Sequence, residues 1–193
     1  MLSKKFMSFA TIALLSLTLG ACSSDDSSSD SSSSSEAASS EVAESSEAEV
    51  VSTASVSADP ETLTTALGED GNWIIAATED VTFEDNVTVA GEFHDKGDDS
   101  ADIYRKFALY AQDEDRNVTA EYTATVPELD VQSENFNIVH GTVDGDILVE
   151  ANGFVLDGVT VTGNVTFASQ EYQDSATIDG EDTTIEGEVT VAE

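Results

Sequence analysis

The chain has 193 residues, with 40 Asp and Glu against 6 Lys and Arg, a formal charge of −34 and a single cysteine. Such acidity excludes nucleic acid as a partner, because phosphate binding needs clustered cations, and it repels anionic lipid headgroups. The partners it suits are divalent cations, basic proteins or uncharged glycans.

The first residues, MLSKKFMSFATIALLSLTLGAC, place Lys4 and Lys5 before an apolar run from Phe6 to Leu19. That is the charged n-region and short h-region of an export signal, and the run is too short for a spanning helix. Leu19-Gly20-Ala21-Cys22 follows directly and resembles the bacterial lipobox. The resemblance implies removal of residues 1–21 and transfer of a diacylglyceryl group to the Cys22 sulfur. Two acyl chains anchor stably where one binds only marginally, so the implied location is the bacterial cell membrane, on its extracytoplasmic side. With Cys22 committed, no disulfide, thiol nucleophile or cysteine metal site remains.

Residues 22–58 are dominated by Ser, Asp, Glu and Ala and contain no aromatic side chain. Such a segment buries too little apolar surface to offset the entropy of ordering and is expected to be a disordered tether. About 36 residues of flexible coil span roughly 30–35 Å, more under self-repulsion. The folded domain is expected over 59–193. It opens on a short helix, with Asp59 as N-cap, Pro60 at N1, Leu63 and Leu67 on one face and Gly68 after the end. No further helix is expected.

The remainder alternates short β-branched runs with Gly, Asn and Asp turn signals. Apolar positions recur every eighteen residues. Leu129 and Val131 lead to Ile147 and Val149, then to Val165 and Phe167. Phe136 leads to Phe154 and Tyr172, Val143 to Val161, and Gly145 to Gly163. With one residue deleted, Val159, Val161 and Gly163 continue as Ala176, Ile178 and Gly180. Constant spacing of this kind predicts an all-β, single-stranded right-handed β-solenoid (β-helix) of about 18-residue coils, because each coil must set its inward residues on those of the last. The repeated Val-Thr-apolar triplets, as at Val159-Thr160-Val161 and Val165-Thr166-Phe167, would each be one short side of a coil, Thr outward.

Residues 129–193, with Gly145-Asp-Ile-Leu-Val, Gly163-Asn-Val-Thr-Phe and Gly187-Glu-Val-Thr-Val, resemble the bactofilin-type, polymer-forming cytoskeletal proteins. That resemblance implies a right-handed β-helix that self-associates through its ends. Val189 and Val191 are then the candidate assembly edge, since an open strand edge invites a second chain, with head-to-tail association expected once salt or Ca²⁺ screens the charge.

Residues 92–127 interrupt the spacing and suggest either a hairpin or two longer coils, turning at Asp113-Glu-Asp-Arg-Asn117. Lys96, Arg105, Lys106 and Arg116 all lie in this segment, where charge pairing with acidic neighbours is expected. Arg105 and Lys106 should point to opposite faces of a strand and so cannot act together as a catalytic base. Asp157 and Asp174 are seventeen residues apart and would stack on consecutive coils, which among so many acids is expected by chance. His94 and His140 are far apart and expected at corners or on the surface. No catalytic constellation results, and the protein is expected not to be an enzyme. Weak Ca²⁺ binding is conceivable at Asp95-Lys-Gly-Asp98-Asp99 and Asp179-Gly-Glu181-Asp182, whereas Asp113 to Asn117 lacks the glycine and the bidentate Glu of an EF-hand loop. Trp73, the one tryptophan, and Tyr172 are the candidate glycan contacts. Two functions remain in view: an envelope scaffold, spacer or assembly module, and a surface module that binds polysaccharide or Ca²⁺.

Overall fold

The computed structural model describes residues 54–192; the export signal, Cys22 and the tether up to residue 53 lie outside the described residues. In chain order the elements are β1 (Ala54–Ser57), α1 (Pro60–Leu67), β2 (Ile74–Ala77), β3 (Val81–Thr82), β4 (Val87–Val89), β5 (Arg105–Ala108), β6 (Tyr110–Gln112), β7 (Val118–Glu121), β8 (Thr123–Val131), β9 (Phe136–Val139), β10 (Thr142–Val149), β11 (Val155–Asp157), β12 (Thr160–Val161), β13 (Val165–Phe167), α2 (Gln170–Ser175), β14 (Thr184–Ile185) and β15 (Val189–Val191). The fold is β-rich, as the alternation of β-branched runs and turn residues predicts.

Two of its three sheets are built from parallel pairs. One has the order β1-β2-β5-β9-β11. The other runs β14-β12-β10-β13-β15, with β8 joining β10 to β3 and β4. The third sheet is the antiparallel hairpin β6-β7. Register in the second sheet follows the sequence repeat. Leu129, Ile147 and Val165 are partners, as are Val131, Val149 and Phe167, and both rows extend to Val87 or Val89 on one side and Val189 or Val191 on the other. Every one of these side chains from Val87 to Phe167 is buried, because alternation turns the same parity inward on each strand. Phe136 and Phe154 are buried likewise and stand in line through the β9–β11 register. Side chains of the two parallel sheets meet in one hydrophobic cluster.

Corners are set by close approach of backbone. A Cβ at Gly163 would overlap the carbonyl of Gly145, and one at Gly187 would overlap that of Gly163. No larger residue fits in that column, which is why glycine returns there.

α1 forms as its sequence predicts. The Asp59 carboxylate accepts from Thr62 N at 2.8 Å, Pro60 occupies the first turn, and Leu63 and Leu67 are fully buried. The helix packs against β4, the outermost strand of the second sheet on that side.

Three expectations need correction. The last residues assigned to the tether, 54–57, form β1, whose backbone pairs with β2 and needs almost no apolar side chain to do so; Val56 is 64 % exposed. A second helix exists, α2, capped by Ser169. Val161 is followed in the ladder by Ile185, and Phe167 by Val191, twenty-four residues on. The six extra residues equal the length of α2, so Ile178 and Gly180 do not continue the rows of Val161 and Gly163, and Tyr172 lies on α2 and not above Phe154. Of the shapes left open for residues 92–127, the hairpin is present as β6–β7, preceded by β5 of the first parallel sheet and followed by β8 of the second. Asn117 closes the hairpin turn by donating to Asp113 from both N and Nδ2.

Arg105 departs furthest from expectation. It is 0 % exposed and pairs with no carboxylate among the described residues. Its Nε donates to Asn72 O at 3.0 Å, Nη1 to Ala90 O at 2.6 Å and Ser133 Oγ at 2.9 Å, and Nη2 to Ala66 O at 2.8 Å and Gly68 O at 2.9 Å. The Phe93 ring lies 4.0 Å from the guanidinium carbon. Ala66 and Gly68 are at the C-terminal end of α1, where unpaired carbonyls and the negative end of the helix dipole favour a cation. Burial alone pushes the Arg105 pKa down to about 10, so the group stays charged at neutral pH. Arg105→Met keeps the apolar stem but removes the guanidinium donors from four carbonyls and Ser133. Its unfolding free energy in denaturant is expected to fall by about 3–5 kcal/mol, with Arg105→Lys recovering only part.

Candidate functional site

The outer face of the first sheet gathers the side chains best suited to meet a ligand. Register places Ile74, Lys106 and Asn137 in one outward row. Beside Ile74, the Trp73 and Tyr104 rings lie 6.2 Å apart at 57°. The Lys106 ammonium is 6.0 Å from the Tyr110 ring, and Tyr110 meets His140 edge-on at 4.8 Å. Trp73, Ile74, Asp95, Asp102, Tyr104 and Lys106 line an open concavity of about 470 Å³.

Local structure explains the grouping. Arg105 turns inward into its cage of carbonyls, so its strand neighbours Tyr104 and Lys106 turn outward. Residues 93–104 fold back on themselves, with Tyr104 N donating to Phe93 O at 2.8 Å and Asp95 N to Asp102 O at 3.0 Å. His140 adopts φ 55° at the corner after β9, beside Gly158 at the end of β11, with Nδ1 3.5 Å from Glu121 Oε1. Partial burial, then the nearby Asp95 charge, raises the Tyr104 hydroxyl above its usual range.

The other expected residues are scattered. Tyr172 packs on the core from α2, and the aromatic neighbour of Trp73 is Tyr104. Val189 is 41 % exposed on β15, and no strand among the described residues pairs with that strand's outer edge. Cys22 lies outside the described residues. Asp174 sits on α2 and accepts from Gln170 at 2.8 Å, while the chain beside β11 resumes at Thr177, so Asp157 and Asp174 are not stacked. His94 Nδ1 is 2.8 Å from Ala101 O, a contact that raises its pKa, with Glu92 adding to the rise. Asp98 is held below the usual carboxylate range by the hydroxyl and amide of Ser100, and Asp95 meets Lys96 at 3.2 Å. Among the described residues no three His, Asp or Glu side chains converge to hold a metal ion.

One acidic contact was not foreseen. Gln132 Nε2 donates to Asp130 Oδ2 at 2.8 Å and to Glu150 Oε2 at 3.2 Å, bridging a carboxylate on β8 and one at the end of its neighbour β10. Asp130 Oδ1 is buried without a partner, and burial followed by the Glu150 charge raises the Asp130 pKa. The eighteen-residue spacing of Gln132 and Glu150 is a signal that could have found the contact. For Tyr104 and Lys106, alternation about Arg105 was the available signal; Tyr110 begins the separate strand β6.

No family model, curated protein or solved structure matches this chain.

A carboxyl with a raised folded pKa binds its proton more readily in the folded than in the unfolded state, so its charge costs stability at neutral pH and the cost fades as pH falls through the folded value. Asp130→Asn is therefore expected to raise the melting temperature by on the order of a degree or two at pH 7. The gain should disappear in acid, below the raised Asp130 pKa, as scanning calorimetry over a pH series would record.

Proposed function

We propose that the chain is a non-enzymatic, lipid-anchored bacterial surface lipoprotein whose acidic domain is a right-handed β-solenoid serving as an envelope scaffold, spacer or assembly module. The observation that carries this reading is the in-register parallel ladder. Leu129, Ile147 and Val165 succeed one another at the eighteen-residue interval of the sequence, and a glycine corner recurs with them. A ladder in which each coil contacts only its neighbours makes a stiff element whose length grows with coil number. Cys22, in its lipobox-like setting, supplies the anchor in this reading, and residues 23–53 the stand-off from the membrane.

The interaction edge in this reading is β15. α1 covers the second sheet at its β4 side, whereas Val189 and Val191 present an edge without a strand partner among the described residues. A second copy is the partner it would take, with a basic envelope protein as the electrostatic alternative on so acidic a surface.

Two experiments test the reading. Cys22→Ala should release the protein from the membrane fraction or leave its precursor uncleaved; a cleaved mutant still retained by membranes excludes lipidation. Light scattering on the full-length Cys22→Ala protein should show a monomer at low ionic strength and association once salt or Ca²⁺ screens the charge beyond about 10 Å. Val191→Lys is expected to abolish that association by placing a buried-side charge on the edge strand. A particle that remains monomeric throughout would remove assembly and leave the spacer role.

A further inference from the structure

Trp73 stands between two concavities. The larger, about 470 Å³, has Tyr104, Lys106 and Asp102 on its walls, and the smaller, about 170 Å³, has Glu92, His94 and Asp99. We infer that this ridge is a binding platform for an uncharged polysaccharide, with successive sugar units on either side of the indole. The inference does not depend on lipid anchoring or self-association.

The class of ligand follows from what the walls carry. Half-buried Trp73 and Tyr104 offer aromatic surface at a tilt of 57°, which suits the apolar C–H face of a pyranose ring. Asp102 accepts hydroxyl hydrogens, and Lys106, whose ammonium has no carboxylate within 4.0 Å among the described residues, donates to hydroxyl oxygens. A polyanion would meet Asp95, Asp99 and Asp102 within a strongly acidic domain, and a polycation would leave the aromatic faces and the Lys106 donor without a partner. An uncharged polyol satisfies both kinds of group at once. Trp73 Nε1 is buried with no hydrogen-bond acceptor, an imbalance that packing needs alone would select against. The walls are preformed: Phe93 to Tyr104 and Asp95 to Asp102 are tied by backbone hydrogen bonds, and the His94–Ile103 bridge lies between them. Little ordering entropy is then lost on binding.

Trp73 is the one tryptophan, so intrinsic tryptophan fluorescence of the full chain reports from this ridge alone. The full-length protein in detergent would be titrated with neutral hexasaccharides of β-1,4-glucose, β-1,3-glucose and β-1,4-N-acetylglucosamine, and with oligogalacturonate and oligolysine as charged counterparts. Expected is a saturable change in emission with at least one neutral sugar and none with either charged oligomer. Tyr104→Ala and Lys106→Ala should each weaken that binding at least about tenfold, at unchanged far-ultraviolet circular dichroism, while Tyr172→Ala leaves it intact. Lys106 is on the outer face, so its variant keeps the test valid if Tyr104→Ala fails to fold. The inference is overturned if no neutral sugar alters the emission at millimolar concentration, if a charged oligomer does so in its place, or if Lys106→Ala leaves binding unaltered.

Discussion

The buried guanidinium of Arg105 is the interaction on which the N-terminal part of the domain depends. Its five donated hydrogen bonds reach the end of α1, the turn before β2, the residue after β4 and the turn after β8. For Asn72 O and Ala90 O the guanidinium is the donor, whereas Ala66 O and Gly68 O also accept from Asn72 N and Gly71 N, and the Ser133 hydroxyl also donates to Gly91 O. One planar cation with five donors satisfies them together, which a lysine with three cannot do. A cation is tolerated at that depth because the carbonyls, the α1 dipole and the Phe93 face replace its water. In a chain with so few cations, placing one inside shows that local carbonyl demand outweighed long-range pairing with surface acids.

That clamp also shapes the outer face. Arg105 must point inward, so Tyr104 and Lys106 must point out, and the fold-back of residues 93–104 that lays Phe93 on the guanidinium brings Asp95 and Asp102 to the rim beside Trp73. Beyond this end the ladder is simpler. From β10 onward the parallel ladder rests on apolar rows and a glycine column, and the acids stand outward, where water solvates most of them. Asp130 is the exception: its partner on β10 is Leu148, the Glu150 carboxylate lies nearby, and Gln132 donates to both acids.

The central ladder was legible in the sequence. Leu129, Ile147 and Val165, Val131, Val149 and Phe167, and Gly145 and Gly163 are paired in the structure as their spacing predicts, since a parallel stack transmits sequence period directly into register. α1 was legible too, because its cap, its proline and its terminal glycine act within a few residues of one another. Spacing failed where an insertion keeps the stack but lengthens the loop. The shift after Ser169 was mistaken for a one-residue deletion because Ala176, Ile178 and Gly180 imitate the next coil, yet α2 pushes the true partners to Ile185 and Gly187.

The sequence by itself determined which residues face inward through the repeat, that the chain is β-rich, and that its surface is acidic, because parity, period and charge are properties of residue order. Only the tertiary structure decided what Arg105 does and which residues surround Trp73. Those arrangements join Ala66, Asn72, Ala90, Arg105 and Ser133, residues separated by irregular segments of unequal length. No local rule specifies which carbonyls a buried cation will meet; the packing of α1 and the strands around it does.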